Sequence, residues 1–115
     1  LRISIVDPER KELDAVDERG EGNERNVFLF HHLVAMFETL ALQQLGKLVN
    51  PLTGNAEKDL RQARITIDML EMVREKTAGN LSPEEQRLLG AVLAELQMNY
   101  VDESKLEKSG QEEKE

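Results

Sequence analysis

The segment Val27 to Leu45, VFLFHHLVAMFETLALQQL, constrains the fold of this chain more than any other. Thirteen of its nineteen residues are apolar, and it holds all three phenylalanines. It reads as the helix around which the rest of a polar chain is organised. It is nearly long enough to cross a bilayer, which takes about 20 apolar residues. His31, His32, Glu38, Gln43 and Gln44 interrupt it, however, and a glutamate near the centre of a spanning helix is costly. A membrane span is therefore not expected. The segment is also too apolar for one small bundle to bury fully, which points to a partner.

The 115 residues suffice for one domain. The net charge of −8 is spread unevenly. Residues 1–25 hold five basic and eight acidic side chains, 26–101 seven and nine, and 102–115 three and six. A nearly neutral centre between acidic ends lacks the clustered Lys and Arg that a phosphate backbone or an anionic membrane needs. One Tyr and no Trp supply no stacking platform for bases. There is no cysteine, so disulfides, thiolate metal sites and a cysteine nucleophile are excluded. Its absence suits a reducing cytoplasmic location. The first residues, LRISIVDPERKELD, show a short apolar patch and then charges, without the pattern of a secretion leader.

Residues 1–25 are expected to form a flexible segment, with Leu1 to Val6 a short extended piece. Residues 102–115 are expected to be a disordered acidic tail carrying a frayed continuation of the last helix. The domain at 26–101 reads as three helices, an all-α, bundle-like core. The first runs from Asn26 to Leu45, with Gly46 closing it in a left-handed conformation. Asn55 is the expected N-cap of the second, which runs to Thr77 before Gly79. The third starts with Ser82 as N-cap, Pro83 at the first helical position and Glu85 completing a capping box.

At about 100° per residue, Leu29, Phe30, Leu33, Val34, Met36, Phe37, Leu40, Ala41 and Leu45 fill one broad half of the first helix. His31, His32, Glu38, Thr39 and Gln43 share the other side. Phe28 and Leu42 are apolar misfits on that polar side, and Gln44 is a polar misfit in the apolar half. In the second helix Leu60, Ala63, Ile67, Leu70 and Val73 form the packing face, with Ile65, Met69 and Met72 beside it. In the third, Leu88, Leu89, Val92, Leu93, Leu96 and Tyr100 form a seam. Its reverse face holds Gly90, Ala91, Ala94, Met98 and Val101 with little charge. A solvent face normally carries more, so Phe28, Leu42, Gly90, Ala91, Ala94 and Met98 are the interface candidates. The expected partner is a second copy, in a homo-oligomer, or another protein.

No catalytic, cofactor or metal pattern emerges. His31 and His32 are adjacent and point apart, and His31 and Glu38 are separated by about 10 Å along the helix axis. A metal-binding or enzymatic site built from His31, His32, Glu38 or Asp68 would have to form across a dimer. Asp68, Glu71 and Glu75 share a stripe with Arg61 and Arg64. The pairs Glu57–Arg61, Arg64–Asp68 and Glu71–Arg74 make it an ion-paired solvent face. Thr53-Gly54-Asn55 and Ala78-Gly79-Asn80 are turns that lack the spacing of a phosphate loop. Met36, Met69, Met72 and Met98 read as gap-filling core; exposed together, they would instead make an adaptable binding surface.

Leu45-Gly46, Asn50-Pro51 with Thr53-Gly54, Ile67-Asp68 with Leu70, and Glu75-Lys76-Thr77 before Gly79-Asn80-Leu81 form a recognisable series. The last, followed by Ser82 and Glu84-Glu85, is the most specific. Across residues 28–101 the chain resembles an uncharacterised bacterial family, domain of unknown function 1844. The resemblance implies a short helical cytoplasmic protein and no activity, substrate or cofactor. What the residues support is a non-enzymatic interaction or assembly module that self-associates.

Overall fold

The computed structural model describes residues 21–114, with side chains from 24 to 110. Three helices follow one another: α1 (Glu21–Gln44), α2 (Leu60–Lys76) and α3 (Pro83–Lys114). Each packs on the other two. No strand occurs among the described residues, only an isolated bridge between Asn50 and Asn55. The all-α, three-helix reading is what the chain adopts. The extended piece at Leu1 to Val6 and most of the 1–25 segment lie outside the described residues.

The core is a continuous cluster. Val34, Ala41 and Leu45 come from α1 and its end, Ala63, Ile67 and Leu70 from α2, and Leu89, Val92, Leu93 and Leu96 from α3. The last two sets follow the spacing that puts one helical stripe against its neighbours. α1 departs from expectation: only one edge of its apolar half is buried.

The helix ends are set by local chemistry. Gly46 and Gly79 take φ of +80° and +86°, a left-handed geometry in which a Cβ is costly. The Lys47 amide donates to the Leu42 carbonyl at 2.8 Å, closing the turn after α1. At the start of α3 the capping box forms in both directions. The Glu85 amide donates to Ser82 Oγ at 3.1 Å, and the Ser82 amide donates to Glu85 Oε1 at 2.8 Å.

Three boundaries differ from the sequence reading: α1 starts at Glu21 rather than Asn26, within the segment expected to be flexible, and the start of α2 and the end of α3 also move. The N-cap of α2 is Asp59, not Asn55: its carboxylate accepts from the Gln62 amide at 3.1 Å. The Asp59 amide is itself held by the Gln44 carbonyl at 2.7 Å, so the packing of α1 selects the cap. Asn55 instead closes the intervening loop, its carbonyl accepting from the Asn50 amide at 2.8 Å. Glu57 therefore precedes the helix and accepts from Asn50 Nδ2 rather than pairing with Arg61 as a helical neighbour. At the other end, α3 does not stop at Val101 but continues through residues assigned to the acidic tail. The physical reason is an ionic tether: Glu103 is nearly buried and binds two lysines from the loop between α1 and α2.

Candidate functional site

Half of the exposed large apolar side chains fall into two stripes, one on α1 and one on α2. Leu29, Leu33, Met36 and Leu40 lie along one stripe of α1, spaced four, three and four residues apart, and are 41–57% exposed. Ile65, Met69 and Met72 lie along one stripe of α2, spaced four and three, and are 37–49% exposed. The contact between Gln44 and Thr66 orients the two helices. Thr66 is buried, and its hydroxyl donates to Gln44 Oε1 at 2.7 Å. This hydrogen bond explains the polar misfit in the apolar half of α1, because a buried hydroxyl requires a partner. On the helical wheel both stripes turn away from the buried positions of their own helices. Leu40 alone of the seven lines a mostly polar cavity of about 340 Å³ at the end of α1, with Gln44, Lys58, Asp59 and Gln62.

Met36, Met69 and Met72 are exposed on α1 and α2 rather than filling the core, and Met98 is also exposed, on α3. Leu29, Leu33 and Leu40 were expected to be buried with Val34, and they are not. Three helices can cover about one side of each member, and α1 is apolar over a wider arc than α2 and α3 together can seal.

The other interface candidates are scattered. Phe28 is 67% exposed near the start of α1, its ring stacked 6.4 Å from that of His32. Leu42 is half-buried against the core, because α3 packs on that side of α1. Ala91, Ala94 and Met98 are exposed on the outer face of α3, and Gly90 is half-buried with open space where a Cβ would stand.

The residues considered for chemistry are not gathered. His31 is half-buried, and its Nε2 has no hydrogen-bond partner among the described residues. Glu38 faces Glu95 of α3; sharing a hydrogen bond with that carboxyl, and then partial burial, raises its pKa above the usual carboxylate value. Asp68 belongs to a different place, paired with Arg64 at 3.5 Å on α2. The Arg64 guanidinium also lies 5.8 Å from the Tyr100 ring centroid. Together with Gln97 and Val101 these residues line an open cavity of about 310 Å³ between α2 and α3. Its charges are satisfied by each other, and it offers no nucleophile beside a base. Among the described residues no three His, Asp or Glu side chains are close enough to hold a metal ion.

At the far end, Glu103 accepts from Lys47 at 2.7 Å and Lys58 at 2.8 Å, and Lys58 also reaches Glu107 at 3.8 Å. The hydrogen bond from Lys47, then that from Lys58, holds the Glu103 carboxyl below its usual pKa. The same contact raises the Lys58 ammonium. Glu103 is buried and tied to the loop by two lysines, so this is a structural clasp on α3. Sequence reasoning missed it because its members are far apart in the chain.

The family model described as Domain of unknown function (DUF1844) matches residues 27–103. The chain belongs to this family. The matched span of the DUF1844 domain takes in most of α1, all of α2 and α3 as far as Glu103, the residue that closes the clasp. It thus includes residues beyond Val101 that the charge pattern had assigned to a tail. No curated protein and no solved structure matches the chain. No helix among the described residues is long and apolar enough to cross a membrane.

Proposed function

We propose that this DUF1844 domain is a non-enzymatic helical interaction or assembly module of the bacterial cytoplasm, and that it self-associates. One observation carries the reading: a three-helix unit leaves seven large apolar side chains exposed, in one stripe on α1 and one on α2. Contiguous apolar patches of this kind mark interaction surfaces. The capping box, the core cluster and the clasp make the unit a defined scaffold on which to present such a surface. Sedimentation equilibrium of the full chain over micromolar concentrations tests it. A mass that rises above the monomer with concentration is expected; a monomer throughout would remove the proposal.

A second reading places a metal or enzymatic site across a dimer, built from His31, His32, Glu38 or Asp68. The unpartnered Nε2 of His31 is the observation in its favour. Elemental analysis of protein purified without a histidine tag separates the two. Stoichiometric metal that is lost when His31 and His32 are changed to Ala would support the second reading.

A further inference from the structure

The proposal that the domain self-associates leaves its interface unassigned, and the next step rests on it. We infer that the α1–α2 face is the interface, and that a second copy of this chain covers it across a two-fold axis. The α3 helices then lie outside a four-helix seam made of two α1–α2 pairs.

Three observations support this occupant. The first is area. From their exposed fractions, the seven side chains offer on the order of 600 Å² of apolar surface, the upper end for the largest patch on an ordinary monomer. A stable complex buries roughly 800 Å² per partner, a value the polar rim would complete. The second is spacing. Apolar residues alternating at four and three positions present the ridges of a left-handed helix–helix seam. α1 carries this pattern over four residues and α2 over three, so two antiparallel helices already stand side by side as half of an antiparallel bundle. The third is charge. Between their apolar members neither stripe holds an ionisable residue; Arg61 and Lys76 stand at the two ends of the α2 stripe, and Asp68 borders it. The surplus of acid lies toward the two ends of the chain. Two acidic copies can therefore meet over the uncharged middle of this face, and an isologous contact requires such a self-compatible surface. The outer face of α3 offers less: beside the small residues Gly90, Ala91 and Ala94 it exposes only Met98 and Val101 in that stretch.

The chain has no cysteine, so a single introduced thiol reports one place. Full-length Met36→Cys and Met98→Cys, each carrying a polarity-sensitive fluorophore, are diluted and concentrated across the association range. The Met36 label is expected to shift to the blue as the dimer forms, and the Met98 label to stay unchanged. In parallel, Met36→Glu and Ile65→Glu are expected to weaken association at least about tenfold with helix content retained, since an unpaired interfacial charge is costly. Ala94→Glu is expected to leave association unchanged.

A dimer in which only the Met98 label shifts, or which only Ala94→Glu disrupts, would place the interface on α3; self-association would stand and this assignment would fall. A monomer at all concentrations would overturn both. A monomer that dimerises only after removal of residues 1–20 would show that the chain's own N-terminal segment covers the face, and would also overturn the assignment.

Discussion

On one side of α1, Val34, Ala41 and Leu45 are sealed in the core with side chains of α2 and α3. On the adjacent side Leu29, Leu33, Met36 and Leu40 stand open beside Ile65, Met69 and Met72. The open side is as hydrophobic as the closed one, and its residues are the larger. The difference is only in how many helices the chain supplies to cover them. Hydropathy therefore ranks which side chains gain by leaving water, while the number of neighbours decides which of them do so within one chain.

That contrast can be broken by truncating one residue on each side. Leu45→Ala removes a fully buried side chain and is expected to cost about 2–5 kcal/mol in chemical denaturation. Leu33→Ala, measured at concentrations too low for association, is expected to cost under about 1 kcal/mol, as for a partly exposed side chain. Equal losses would mean that the open side is covered within the monomer.

The helix ends provide a smaller effect that is independent of either side. Ser82→Ala removes one arm of the capping box and is expected to cost about 1 kcal/mol, with dimerisation unchanged. Coupled loss of stability and association would make α3 part of the interface after all.

The clasp sharpens the comparison through pH. The Glu103 pKa is lowered in the folded chain, so its contribution is present above the unfolded value and lost as pH falls through the folded one. Wild-type stability should therefore drop on acidification below about pH 4 more steeply than that of Glu103→Gln. At neutral pH the two should differ by under about 1 kcal/mol, because both lysines are partly exposed.

The smallest expected effect has the opposite sign. The folded-state pKa of Glu38 is raised, so the protonated form suits the α1–α3 contact. Its favourable contribution is present below the unfolded value and is lost as pH rises through the folded one. Glu38→Gln should therefore be slightly more stable than wild type at pH 7, with the gap closing under acid. Thermal melts at the two pH values read both directions.

Much of the fold could be read from the residues because it depends on near neighbours. Ser82 and Glu85 cap α3 through contacts three positions apart, Gly46 and Gly79 end their helices, and the stripes of α2 and α3 face inward as their spacing implies. What was hidden depends on distant neighbours. Asn55 and Asp59 are both good caps, and the Gln44 carbonyl decides between them. Glu103 sits in a charge-rich stretch that reads as tail, and two lysines on a remote loop make it part of the domain. The open face followed the same rule. The wheel of α1 locates every apolar residue but not which of them finds a helix beside it, and it singles out Phe28 and Leu42 instead, as the wheel of α3 does its back. Met36, Met69 and Met72 were the available signal, since flexible side chains on two helix flanks suit an adaptable contact.

The most direct test is sedimentation equilibrium of the wild type and Met36→Glu side by side, as full chains at equal concentration. The expected result is a dimer for the wild type and a monomer of unchanged helix content for the variant. A wild-type monomer at tens of micromolar, or a dimer that Met36→Glu leaves intact, would contradict the assignment of a second copy to the α1–α2 face.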